Sequence, residues 1–196
     1  LGGALLALGV YLYVALSRIA YPFELEWMEG QSLVQVDRLL RGQPLYERPS
    51  LAYVPFIYPP LYYALAAIVS AVVGQGFLAL RLVSFAASLG CCALIYHLVR
   101  RDSRDRLAAL AAVGLFAATY RLGGAWFDVG RVDTLLLFLL LLGMALLRRE
   151  TVPAAALAGV CCALALLTKQ TAWIALPPPL LACLWRDWRR GLAFGG

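Results

Sequence analysis

The chain has 196 residues, 63% of them hydrophobic and only 14% charged, with a mean hydropathy of +0.79. That composition excludes an ordinary soluble domain and marks an integral membrane protein. The net charge of +6 does not mark a nucleic-acid partner, because the arginines fall in short clusters between apolar runs rather than along one face. Five cysteines, Cys91, Cys92, Cys161, Cys162 and Cys183, all lie inside apolar runs. Neighbouring cysteines of a helix point to different sides, so they read as small packing residues rather than a disulfide framework or a metal site. The single His97, beside Arg100 and Arg101, reads as an interfacial side chain.

Leu1 to Ser17 is apolar throughout and is the first predicted membrane helix, spanning if a few residues precede it, since a span needs ~20 residues. It reads equally as an uncleaved signal anchor, and the chain as the N-terminal portion of a longer protein. Residues 18–60 form a long loop that gathers five of the eleven acids, Glu24, Glu26, Glu29, Asp37 and Glu47. Within it, Leu33, Val36 and Leu40 recur at helical spacing and predict an amphipathic helix over Glu29–Arg41, lying flat on the membrane surface and ended by Gly42 and Pro44. Prolines 44, 49, 55, 59 and 60 forbid regular helix in the stretch that follows, and its tyrosines suit a headgroup-level belt.

Leu61 to Val73 is an apolar run too short for an ordinary span, whereas Phe77 to Val99 is long enough. Four more runs follow: Leu107–Tyr120, Thr134–Leu147, Pro153–Leu167 and Thr171–Trp185. The joints RRDSRDR (100–106), RRE (148–150) and RDWRR (186–190) carry nine arginines, against two arginines in RLGGAWFDVGRVD (121–133) and one lysine in TKQ (168–170). By the positive-inside rule the basic joints are cytoplasmic and the other two face out. Two topologies then remain. If Leu61–Val73 spans, the long loop is cytoplasmic; if it lies in the outer interface, the loop is outside, and its short length favours the second. The expected architecture is an all-α polytopic membrane helix bundle with an outer-face juxtamembrane amphipathic helix and loop. It forms one transmembrane domain over 1–196, with residues 61–185 supplying the interfacial and membrane helices and 186–196 a cytoplasmic end.

On this topology one face collects the loop acids with Asp128, Arg131, Asp133 and Lys169, and no charge lies in the middle of an apolar run. Each has a bland alternative: solvated loop acids, Glu29 at a helix start, Asp133 as an N-cap, Lys169 snorkelling. Together they suit transfer from a lipid phosphate to a hydroxyl, which needs a carboxylate to take the acceptor's proton and cations to hold the leaving phosphate. The carboxylates also offer the oxygen ligands that Mg²⁺ or Mn²⁺ takes, but their spacing in a loop is not diagnostic.

The motifs ELEWMEG, DRLLRGQPLYERP, IYPPLYYALAAIVS, RLVSFAASLG, GRVDTLLLFLLLLG and ALLTKQTA resemble, in order and spacing, the GT-C superfamily of glycosyltransferases that use polyprenyl-phosphate sugars. The resemblance is particularly to the bacterial protein mannosyltransferase-like and aminoarabinose transferase-like branch. The resemblance implies an inverting transfer at the outer face of the plasma (inner) membrane, in the cell envelope, to a lipid, glycan or protein acceptor. Glu29 and Glu26 would be the catalytic carboxylates and Arg131 and Lys169 the donor-phosphate ligands, with Asp128, Asp133, Tyr58 and Tyr62 in support. Where the family often has an Asp-Glu pair, this chain has Met28-Glu29. The competing readings are a transporter or flippase of lipid-linked sugars, with the Pro177–Pro179 run as a helix break, and a non-catalytic homologue.

Overall fold

The computed structural model describes residues 1–196 and is all-helical, with nine α-helices, one 3₁₀ turn and no strand. The helices are α1 (Gly2–Arg18), α2 (Trp27–Leu40), α3 (Leu61–Val73), α4 (Phe77–Ser103), α5 (Arg106–Ala118), α6 (Asp133–Leu147) and α7 (Val152–Thr168). A 3₁₀ turn (Gln170–Ala175) then leads to α8 (Pro177–Arg186) and α9 (Trp188–Gly195). By length and composition α4 alone is able to cross a membrane unaided, and α1, α3, α5, α6 and α7 are shorter apolar helices. Side-chain caps set several starts: Asp105 accepts the Leu107 N–H, Thr151 the Ala154 N–H and Asp187 the Arg189 N–H.

The joints fall at two ends of the bundle. At the first, Arg18 Nη2 donates to the Ala125 carbonyl (2.7 Å), Ser84 Oγ to the Arg131 carbonyl (3.0 Å) and Lys169 Nζ to Asp133 (2.6 Å). This gathers the end of α1, the starts of α4 and α6, and the end of α7. At the second, Arg101 Nη2 donates to the Arg148 carbonyl (2.7 Å) and Arg190 Nη2 to the Leu147 carbonyl (3.2 Å).

Helix α3 does not traverse this bundle. At its start the Tyr62 hydroxyl donates to the Leu80 carbonyl at 2.9 Å, near the head of α4. At its end Gly74 (φ 89°) and Gly76 (φ 155°) turn the chain directly into Phe77, which lines a cleft with Phe23 and Trp27. Both glycines use backbone angles that a side chain disfavours, and α3 leaves from the end at which it arrived.

Helix α2 packs against α3 and α4 and buries Met28, Glu29, Ser32, Gln35 and Val36. Leu33, Val36 and Leu39 of the predicted apolar stripe pack on the main core beside these polar residues, so the inward stripe is mixed, and Leu40 is exposed. The polar members are drawn in by partners: Glu29 by Arg81, and Gln35 by the Tyr53 hydroxyl at 2.8 Å. The main core joins α2, α3, α4 and α6 through Val36, Tyr62, Leu80 and Val132, while Tyr11, Ala15, Ala117 and Tyr120 seal α1 onto α5. A Cβ at Gly114 would lie 2.2 Å from the Ala4 Cβ, so α1 and α5 approach as only a glycine permits. The run expected over Thr171–Trp185 is divided in two. Pro177–Pro179 occupy the first turn of α8, where missing N–H groups cost nothing, so the interruption expected at the prolines is present as the start of a new helix after the 3₁₀ turn.

Candidate functional site

The segment between α5 and α6 organises the first end, because successive residues reach different helices. Asp128, buried, takes Arg18 Nε and Nη2 at 2.7 Å each and the Tyr120 hydroxyl at 2.8 Å, tying the segment to the end of α1. Gly130 donates its N–H to Glu29 Oε1 at 2.7 Å. A Cβ at Gly130 would lie 3.0 Å from the Leu80 Cβ and 3.2 Å from Glu29 Cγ, so a larger residue would press both neighbours back by a few tenths of an ångström. Arg131 then points at the acids of the long loop.

Glu29 is wholly buried and so is its partner. Arg81 Nε donates to Oε1 at 2.9 Å and Nη2 to Oε2 at 2.7 Å, while the Leu25 N–H reaches Oε2 at 2.7 Å. With Gly130 this makes four donors, two to each carboxylate oxygen, which fills the lone pairs a carboxylate has to offer in its plane. Burial alone pushes the Glu29 carboxyl up. The Arg81 hydrogen bonds, the two backbone N–H groups and the arginine's charge outweigh it and hold the group below the usual carboxylate range. Arg81 also donates to the carbonyls of Tyr21 (2.6 Å) and Phe23 (2.7 Å), so it fixes the path of the long loop as well as its acid. Arg81 was not among the residues singled out from sequence, although an arginine one turn inside an otherwise apolar helix is itself a signal of a buried partner.

A second network lies beside it and is only partly buried. Arg131 Nη1 donates to Glu26 Oε1 at 3.0 Å and Nε to Asp133 Oδ2 at 2.8 Å, and Lys169 Nζ reaches Asp133 Oδ1 at 2.6 Å. Asp133 thus bridges the two cations from the first turn of α6; the cap position is Val132, without a side-chain bond. Arg131 lies over the Trp126 ring (3.8 Å to the centroid) and its Nη1 contacts Met28 Sδ, which leaves Nη2 without a partner in the chain. Lys169 stands 5.3 Å from the centre of the buried Tyr58 ring. Tyr62 is buried and serves the α3–α4 contact, its hydroxyl 3.0 Å from Ser84 Oγ.

Glu26 joins the network to open space. Its Oε2 accepts the Met28 N–H at 3.0 Å as the cap of α2, and each oxygen keeps acceptor capacity beyond its one bond. It lines an open cleft with Phe23, Glu24, Leu25, Trp27 and Phe77. Glu24 is exposed there, with Oε2 3.3 Å from the Gly30 nitrogen. Just inside the starts of α4 and α6, a wholly apolar groove of about 550 Å³ runs between α3, α4 and α6, past Leu65, Val69, Val83, Ala87, Leu135 and Phe138. The nearby carboxylates Glu26 and Asp133 are already bonded to cations, and no three metal-capable side chains converge.

No curated protein matches the chain, and no solved structure does. Residues 58–194 match the family described as Dolichyl-phosphate-mannose-protein mannosyltransferase, whose members are membrane proteins and glycosyltransferases. The match takes in Tyr58, Tyr62, Arg81, Asp128, Arg131, Asp133 and Lys169, and begins after Glu26 and Glu29. With well over half of its length inside that match, the chain belongs to the dolichyl-phosphate-mannose-protein mannosyltransferase family.

Proposed function

We propose that this chain is the bundle of a multi-pass membrane glycosyltransferase. It moves a sugar, with inversion, from a polyprenyl-phosphate donor to an acceptor hydroxyl at the outer face of the plasma membrane. The observation that carries the reading is Arg131, which joins Glu26 at the open cleft to Asp133 and Lys169 beside an apolar groove. An acid lining an open cleft, two cations and a lipid-sized groove are what such a donor and acceptor require. The first end is then the outer face, and the arginine-rich joints at the second lie inside.

In this reading the donor's chain occupies the groove and its phosphate takes the free Nη2 of Arg131 and the remaining donors of Lys169, in part by displacing Asp133. Glu26 accepts the acceptor's hydroxyl proton. The hydroxyl oxygen bonds to the anomeric carbon from the side opposite the phosphate, the carbon–oxygen bond to phosphate breaks, and polyprenyl phosphate leaves with its charge held by the two cations. Glu29, with no free lone pair, is a positioning residue: it carries Gly130, and so Arg131, to Glu26. Asp128 anchors the same segment from behind, and Tyr58 walls Lys169.

Substituting Glu26→Gln keeps the α2 cap acceptor and removes the base. Sugar transfer from a polyprenyl-phosphate donor is expected to fall by about 10²–10⁴-fold, with the protein still folded because Asp133 continues to neutralise Arg131. Wild-type transfer by this variant would falsify the assignment.

A further inference from the structure

We propose that the second end of the bundle holds an anionic phospholipid, with an acyl chain between α6, α8 and α9 and its phosphate among Arg148, Arg186 and Arg190. A cavity of about 500 Å³ lies there, walled by Leu140, Met144 and Leu147 of α6, Pro178 and Ala182 of α8, and Phe194 of α9. A smaller space of about 180 Å³ adjoins it, sharing Met144, Leu147, Pro179 and Ala182, and its outer wall adds Arg148, Arg186 and Arg190 with Glu150 as the one acid. The site is thus graded, apolar within and basic at the mouth.

The arginines differ in how far they are already satisfied. Arg148 is gripped by both oxygens of Asp102, at 2.5 and 2.6 Å. Arg186 has only Glu150, at 3.7 Å between exposed side chains, which is worth little in water. Arg190 gives Nη2 to the Leu147 carbonyl, but its Nε is buried with no acceptor at all, and a buried donor without a partner is costly. A soluble anion would answer the arginines and leave the apolar space empty. A neutral lipid would fill the space and leave Arg190 unanswered. An amphiphile with a negative head meets both demands. The site shares no lining residue with the groove between α3, α4 and α6.

The inference rests on the membrane placement proposed above but not on the transfer chemistry, so loss of lipid binding and loss of activity in Glu26→Gln are independent results. Delipidated protein is titrated with phosphatidylglycerol or phosphatidylcholine and read by native mass spectrometry. Phosphatidylglycerol is expected to bind more tightly. Arg190→Gln and Arg186→Gln should each weaken it about fivefold, as one basic side chain near an anionic surface contributes, and leave phosphatidylcholine unchanged. Ala182→Trp, which fills the space common to both cavities, should exclude both lipids. Equal binding of the two lipids, or phosphatidylglycerol binding untouched by the exposed-site variant Arg186→Gln, overturns the proposal. So does a dimer mass that replaces the lipid, or displacement of phosphatidylglycerol by polyprenyl phosphate.

Discussion

The two ends of the bundle handle charge in opposite ways. At the first, every arginine of the inner network is matched by a carboxylate brought from a distant part of the sequence: Arg81 by Glu29, Arg18 by Asp128 and Arg131 by Glu26, with the neighbouring Asp133 added to the last. At the second, the pairs Arg148–Asp102 and Arg186–Glu150 are largely exposed, and arginines outnumber acids. Burial explains the difference. A charge taken out of water needs its partner within hydrogen-bond reach, whereas one left in water does not. The first end is therefore built as a fixed geometry and the second as a surface of one sign.

The sharpest way to break this contrast is at Glu29. Glu29→Gln strands a buried Arg81 and should cost about 3–5 kcal/mol, read as a large drop in thermal midpoint or as loss of folded protein. Arg81→Met with Glu29→Gln should recover part of that loss, since removing both charges relieves the uncompensated one. Next in size is Gly130→Ala, which pushes Leu80 and Glu29 apart by a few tenths of an ångström. A cost of about 1–3 kcal/mol is expected, together with a fall in transfer as Arg131 moves.

Acid should weaken the first end through Glu29. The folded value of Glu29 lies below the unfolded one of about 4.3, so its contribution to stability is fully present above that value and disappears as pH falls through the folded value. The thermal midpoint should be flat from about pH 8 to 5 on this account and drop below about pH 4. The drop should be smaller in the Glu29→Gln, Arg81→Met double variant. Smallest is Asp102→Asn at the second end, expected to change stability by no more than about 1 kcal/mol.

Much of the helical layout was legible because apolar runs end at physical signals. Leu61–Val73 is bounded by Pro60 and Gly74, Thr151 caps α7, and the runs at 107, 134 and 153 match α5, α6 and α7 to within about two residues at each end. The acidic motif, Arg131, Asp133 and Lys169 were legible as a set, since charges are rare in so apolar a chain and share one face. What the sequence did not show is the difference in surroundings between Glu26, which lines the open cleft, and Glu29, which is wholly buried. Three residues apart, they are alike in type and motif, and only Arg81 and the Gly130 N–H, 52 and 101 residues away, separate them. The inward stripe of α2 was hidden for the same reason: its polar side chains are buried by partners on other elements, which no helical periodicity records.

The course of α3 has a consequence for how this chain tolerates change. Residues 19–76 depart from the bundle and rejoin it at one end, so the stretch is a closed excursion. Lengthening it or altering its aromatic and proline segment reverses the direction of none of the helices from α4 onward. Its fixed points are the acids that meet Arg81 and Arg131, Tyr62 against Leu80, and the buried Leu45 and Tyr53, the latter bonded to Gln35 of α2. The exposed tip at residues 48–52 is free to drift in sequence, while the charged centre keeps its form.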